Sequence, residues 1–153
     1  MISTEPTTPH PAGRLPGKKL KTLIVDDHPA SILLLQDMLT GCCECFAATA
    51  GPQAITLFEK ALQDAKPFDI VLLDIEMPGM NGIEVLKELR LRELDWRKQN
   101  LLYDDRKFAR IIMQTASDKP QDLFDAYLKG KCNGYINKPF DKKELLDKVL
   151  ASP

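Results

Sequence analysis

The sequence has no apolar run approaching the roughly 18 residues that a membrane-spanning helix requires. Its N-terminus lacks the charged-then-apolar layout of a secretory signal. Neither sign of charge dominates. There are 21 Lys and Arg against 22 Asp and Glu, a net charge of −1, so no basic surplus points to DNA, RNA or an anionic membrane. The expectation is a cytoplasmic protein with no nucleic-acid and no membrane partner. Cysteine is scarce: Cys42, Cys43, Cys45 and Cys132 are the whole set. The C-C-x-C cluster has no His nearby and lacks the paired C-x-x-C spacing of zinc modules. Cys45 and Cys132 therefore read as small apolar residues in a reduced compartment. Only two histidines occur, His10 and His28.

What remains is ordinary globular material. The 153 residues are 44% hydrophobic and 28% charged, enough for one domain with a core on both sides of a sheet. Residues 1–18, rich in Pro, Thr and Gly and without periodicity, read as a flexible tail. Beyond them apolar strands alternate with helical patterns. Leu20 to Val25 is a strand, and Ile32, Leu33, Leu35, Gln36 and Leu39 follow at helical spacing up to Gly41. Cys45 to Ala48 is a weaker strand, and Pro52, Ile55, Phe58 and Leu62 mark a second helix. Asp69 to Leu73 is a continuously apolar strand of the kind covered on both faces. A third helix begins near Gly82, with Val85, Leu86 and Leu89 inward. Ala109 to Gln114 is a fourth strand, and Leu123, Phe124 and Tyr127 mark a fourth helix. Gly134 to Asn137 is a fifth strand, and Asp141 caps a last helix carrying Leu145, Leu146 and Val149. Strands alternating with helices imply an α/β domain with a parallel sheet and helices on both faces.

Open α/β sheets bind ligands beyond the carboxyl ends of their strands, near a topological switch point. The polar residues collect there. Asp26 and Asp27 follow the first strand, Asp74 ends the third, Thr115 the fourth and Lys138 the fifth. Three carboxylates at one rim repel and need a counter-charge. Their hard oxygens suit Mg²⁺, which also engages phosphate oxygens. Lys138 offers a mobile point charge and Thr115 a hydroxyl donor. The set suits a phosphoryl group moving onto a carboxylate, a role for which Asp is a competent nucleophile.

The stretches TLIVDD, IVLLDIEMPGMNG, IIMQTA and GYINKPF resemble, in order, the signatures of two-component response-regulator receiver domains, over about Lys19 to Ala151. The resemblance implies a flavodoxin-like, doubly wound five-stranded sheet in the order 2-1-3-4-5, and a signalling switch rather than a conventional enzyme. It implies that Asp74 accepts a phosphoryl group from a sensor histidine kinase or a histidine phosphotransfer protein. Asp27 and Asp74 would bind Mg²⁺ (or Mn²⁺) with the backbone carbonyl of Glu76, and Asp26 would act through water. Thr115 and Lys138 would meet the phosphoryl oxygens, and Tyr135 would be the aromatic that turns inward as Thr115 moves. The Glu76 side chain would tune phosphoryl lifetime. The Lys138–Pro139 bond resembles the family's cis peptide. His28 follows the acidic pair and invites a phosphohistidine or metal reading, but the expectation is a solvent-facing residue at the start of the first helix, before Pro29.

Two departures stand out. Asp74 and Thr115 are 41 positions apart (115 − 74), more than the family usually uses, and the surplus lies around residues 90–107. An elongated third helix with a longer loop is one reading. A docking or homodimer-forming element is the other, because Trp96, Leu101, Leu102 and Tyr103 are costly to leave in water. Lys131 stands where the family usually has Gly, with Gly130 one residue early, so the turn before the fifth strand is expected to shift.

The chain is expected to end soon after its last helix, so that output is contact with a downstream protein target or phosphate relay. The alternatives are a receiver cut from a hybrid kinase or multidomain regulator, and a haloacid-dehalogenase-type phosphatase. In the latter the nucleophile ends the first strand within D-x-D.

Overall fold

The computed structural model describes residues 17–100, 108–116, 125 and 131–151. The expected tail is almost wholly outside them. So are Leu101, Leu102 and Tyr103, the helix marked by Leu123, Phe124 and Tyr127, and Gly130. The described elements run β1 (Leu20–Val25), α1 (Pro29–Met38), β2 (Cys43–Ala48), α2 (Gly51–Gln63), β3 (Ile70–Asp74), α3 (Gly82–Gln99), β4 (Arg110–Thr115), β5 (Gly134–Asn137) and α4 (Lys142–Val149).

All five strands pair in parallel in the order β2-β1-β3-β4-β5. Side chains alternate across this sheet and build two cores. Leu23, Val25, Val71, Leu73, Ile111 and Met113 face one way, onto Phe58 and Leu62 of α2 and Val85, Leu86 and Leu89 of α3. Ile24, Ile70, Leu72, Ile112 and Ile136 face the other, onto Ile32 and Leu35 of α1 and Leu145 and Val149 of α4. Burial on both faces explains the apolar runs Leu23–Val25, Ile70–Leu73 and Ile111–Met113 within β1, β3 and β4.

Several local readings are corrected. Leu33 is 67% exposed and does not join the apolar stripe of α1. One residue on from the inward Ile32, it is carried about 100° round the helix, and Ile32, Leu35 and Leu39 make the buried stripe. Strand β2 starts two residues earlier than its composition suggests, because Cys43 and Glu44 pair with Leu20 and Lys21 of β1. The expected shift of the turn before β5 turns on Gly130, which lies outside the described residues. Lys131 itself adopts a left-handed φ of 58°, the conformation that a Gly would take without strain.

Helix α3 starts where the chain must pass close to the end of β3. Asn81 caps it by accepting from the Glu84 N–H at 3.0 Å, and the Gly82 N–H donates to the Ile75 carbonyl at 2.9 Å. A Cβ at position 82 would collide with the Asp74 carbonyl oxygen and the Ile75 backbone. That glycine lets the helix seat against the loop following Asp74. Farther on, α3 keeps Leu91 and Leu94 exposed, while Trp96 is partly buried against the core shared with α2. No described helix is long and apolar enough to cross a membrane.

Candidate functional site

Strands β1 and β3 are neighbours, yet the chain leaves β1 toward β2 on one side and later returns to β3 on the other. This switch point opens a crevice at their carboxyl ends. Asp26 lies immediately beyond β1, held there by its N–H donating to Ala48 O at 3.1 Å, and Asp74 is the last residue of β3.

Asp26 is 0% exposed. Its Oδ2 accepts from Lys138 Nζ at 3.0 Å, and its Oδ1 accepts from the His28 backbone N–H at 2.9 Å. Asp74 is buried as well; its Oδ1 accepts from the Glu76 N–H at 3.3 Å and lies 3.6 Å from Lys138 Nζ. Burial pushes the Asp74 carboxyl above its ordinary pKa. The Lys138 ammonium opposes that rise, Asp26 adds to it, the Glu76 amide opposes it, and Asp27 adds a little more. Asp27 is half-buried, with an Oδ1 that is sequestered and accepts no hydrogen bond. Ligand atoms of Asp26, Asp27, His28 and Asp74 all lie within 4.8 Å of one another.

Thr115 is buried at the end of β4, and its carbonyl accepts the Lys138 N–H at 2.7 Å. The Lys138–Pro139 peptide bond is cis, as the resemblance implied. Glu76 is exposed and reaches the cluster through its backbone. Tyr135 does not join it. The ring is 45% exposed, with Lys148 Nζ 5.8 Å from its centroid.

Two residues near the site were not assigned to it from the sequence, where His28 was expected to face solvent. The His28 side chain is 68% exposed, but its Nδ1 stands 3.1 Å from Asp27 Oδ1 and 3.4 Å from Asp26 Oδ1. Its only sequence signal is adjacency to the acidic pair. Gln114 is fully buried beside Asp74 in the β3–β4 register, and neither its Oε1 nor its Nε2 has a partner among the described residues. An amide within the apolar run ARIIMQ was the available signal.

A divalent cation fits this donor set. Three carboxylates face one ammonium, and a sequestered carboxylate oxygen has no hydrogen bond to occupy it. The cysteines do not form a comparable group among the described residues. None of the four is in a disulfide, and the Cys42 thiol donates to the Leu39 carbonyl at 3.4 Å. Burial pushes Cys43 up to about 12 and also raises Cys45 and Cys132, as expected of inert packing thiols.

Comparison with known proteins decides the family. The model of the response regulator receiver domain matches residues 22–150. The chain belongs to the response regulator receiver domain family. The receiver is 34% identical over 138 residues to the chemotaxis protein CheY-3 of Vibrio cholerae, covering 87% of this chain and 93% of that protein. It is similar to the solved structure of V. cholerae CheY4, with a TM-score of 0.69 and 27% identity over 86% of this chain and 97% of that one. It is also similar to a chain in the CheX–CheY–BeF3–Mg²⁺ complex from Borrelia burgdorferi, with a TM-score of 0.68 and 30% identity over 85% and 86%. The flavodoxin-like order expected from the sequence is the one observed. Receiver domains are signalling proteins of two-component phosphorelays that bind Mg²⁺ at an acidic site, and this receiver carries such an Asp cluster. The haloacid-dehalogenase alternative is set aside, since β1 is followed by adjacent Asp26 and Asp27 without D-x-D.

Proposed function

We propose that Asp74 is the phosphoacceptor of this receiver, and that its phosphorylation switches protein–protein contacts. The observation carrying this reading is the buried Asp74 carboxylate at the β3 terminus, 3.6 Å from Lys138 Nζ and within reach of Asp26 and Asp27. An Asp74 carboxylate oxygen attacks phosphorus on the phosphohistidine of a histidine kinase or phosphotransfer protein. The P–N bond breaks and the imidazole leaves. Lys138 neutralises charge on the transferring oxygens and Thr115 hydrogen-bonds one of them. A Mg²⁺ (or Mn²⁺) held by Asp27, Asp74 and the Glu76 carbonyl, with Asp26 through water, would shield the carboxylates and the incoming phosphate.

Once phosphorylated, Asp74 draws Lys138 and Thr115 toward the new oxygens. This biases an existing equilibrium between two conformations. Tyr135, outward here, follows Thr115 inward and remodels the surface of β5 and α4. The output is contact with a downstream protein, in keeping with the B. burgdorferi CheY found in complex with CheX. The exposed Glu76 side chain tunes phosphoryl lifetime, and the exposed stripe of α3 is available for docking or homodimer formation. A cytoplasmic location suits a kinase-fed switch.

Incubation with acetyl phosphate and Mg²⁺, followed by intact mass spectrometry, tests the acceptor. Wild type gains one phosphoryl group and Asp74→Asn gains none. Equal labelling of the two, or no labelling of wild type, rejects the assignment.

A further inference from the structure

We propose that the His28 imidazole is a donor to the cation site, making this receiver favour a first-row transition ion such as Mn²⁺ or Co²⁺ over Mg²⁺. The inference rests on the reading of Asp27 and Asp74 as the metal-binding carboxylates.

The position of the ring follows from the backbone. His28 is the residue before α1, with extended φ and ψ of −103° and 109°, and Pro29 begins the helix. Its side chain makes no capping hydrogen bond, and its N–H is tied to Asp26 Oδ1 at 2.9 Å. The residue is therefore anchored by its main chain to one member of the acidic cluster while its ring leans over another.

Nδ1 lies 3.1 Å from Asp27 Oδ1, and that oxygen accepts no hydrogen bond. The two atoms are close without being aligned to share a proton. Ligand atoms placed at right angles around one ion, at the roughly 2.1 Å of Mg²⁺–oxygen or metal–imidazole bonds, stand about 3 Å apart. The His28–Asp27 separation matches that edge, and the Asp74 carboxylate lies in the same group of ligand atoms. The exposed face of the ring leaves room for water to complete the coordination.

The donor type then sets the preference. Mg²⁺ binds oxygen and keeps its waters, whereas imidazole nitrogen suits the later divalent ions, whose affinities rise from Mn²⁺ toward Cu²⁺. A site of carboxylates alone discriminates weakly between Mg²⁺ and Mn²⁺. Adding one imidazole favours the transition ion without requiring any other change in the fold.

The test is calorimetric titration of the intact unphosphorylated protein with Mg²⁺, Mn²⁺ and Co²⁺ at fixed pH, for wild type, His28→Ala, His28→Asn and Asp27→Asn. Both His28 variants are expected to lose about tenfold or more in affinity for Co²⁺ and Mn²⁺ while Mg²⁺ changes less than about twofold. Pulsed electron paramagnetic resonance of the Mn²⁺-loaded wild type is expected to show a nitrogen coupling that His28→Ala abolishes. If Asp27→Asn binds no ion and both His28 variants keep wild-type selectivity with no nitrogen coupling in wild type, His28 is not a ligand and the inference falls alone. If wild type binds none of the three ions, or Asp27→Asn binds them as wild type does, the reading of the acidic cluster falls with it.

Discussion

Arg90 Nη2 donates to Asn133 Oδ1 at 2.7 Å, joining α3 to the turn before β5 across 43 residues of sequence. The same guanidinium donates from Nε to the Lys131 carbonyl at 3.1 Å. Its Nη1 donates to the Ala109 carbonyl at 2.8 Å and to Glu93 Oε1 at 2.7 Å. Glu93 is itself buried and accepts the Ala109 N–H through Oε2 at 2.8 Å, while Asn133 Oδ1 also takes the Ile111 N–H at 2.7 Å. One polar network thus holds the amino ends of β4 and β5 against α3, at the edge of the sheet away from Asp74.

Removing Glu93 leaves a mostly buried guanidinium short of its counter-charge and the Ala109 amide without an acceptor. Glu93→Ala is expected to cost about 3–5 kcal/mol in urea unfolding. A loss below about 1 kcal/mol contradicts this picture.

Burial raises the Glu93 pKa, with Arg90 opposing the rise through its charge and hydrogen bond and the Ala109 amide opposing it further. The folded pKa therefore lies above the unfolded one. The resulting stability is fully present below the unfolded pKa and is lost as pH rises through the folded pKa. Relative to wild type, Glu93→Gln should cost more at acidic pH than at neutral pH. Paired urea titrations across that range check the sign, and a penalty that grows with rising pH would reverse it.

Gln114 has both polar side-chain atoms buried and unpartnered among the described residues. Each such group carries an unrecovered desolvation penalty. Gln114→Leu is expected to raise stability by about 1–3 kcal/mol. Measured destabilisation would mean that the amide is satisfied by a partner in solution.

Lys131 occupies the left-handed region at φ 58°, where a side chain costs about 1–2 kcal/mol. The Arg90 bond goes to its carbonyl and survives substitution. Lys131→Gly is expected to stabilise by about 1 kcal/mol, read as a higher denaturation midpoint at unchanged slope. An unchanged or lower midpoint would show that the turn is not strained.

Asp26, Asp27 and Asp74 repel one another around a single Lys138 ammonium. Adding Mg²⁺ or Mn²⁺ should raise the melting temperature of wild type, by linkage, and chelation should reverse the rise. At neutral pH without metal, Asp74→Asn should be more stable than wild type, since burial and the neighbouring Asp26 and Asp27 disfavour the ionised carboxylate. A less stable Asp74→Asn would show that the Lys138 attraction outweighs burial and repulsion.

Much of the fold was legible because its signals are local. The apolar runs of β1, β3 and β4, the Asp141 cap and the start of α3 near Gly82 each depend on residues a few positions apart. The carboxylates at the strand ends were legible for the same reason, because a polar residue closing an apolar strand marks the rim of an α/β sheet. Leu33 was misplaced because helical spacing leaves neighbouring leucines ambiguous until the angle of the helix to the sheet is known. The early start of β2 depended on a partner strand, and no propensity of Cys43 or Glu44 encodes that pairing.

The sequence by itself determined the alternation of strands and helices and the acidic rim around Asp74, because these follow from periodicity and from residue type at strand ends, and its motifs carried the resemblance to the family. Only the tertiary structure decided what each side chain meets. It brought Lys138 to Asp26 across 112 residues, set His28 against Asp27, left Gln114 without a partner among the described residues, and held Lys131 in a left-handed turn under the Arg90 network. Such contacts depend on sheet register and helix orientation, quantities summed over the whole chain rather than carried by any short stretch of it.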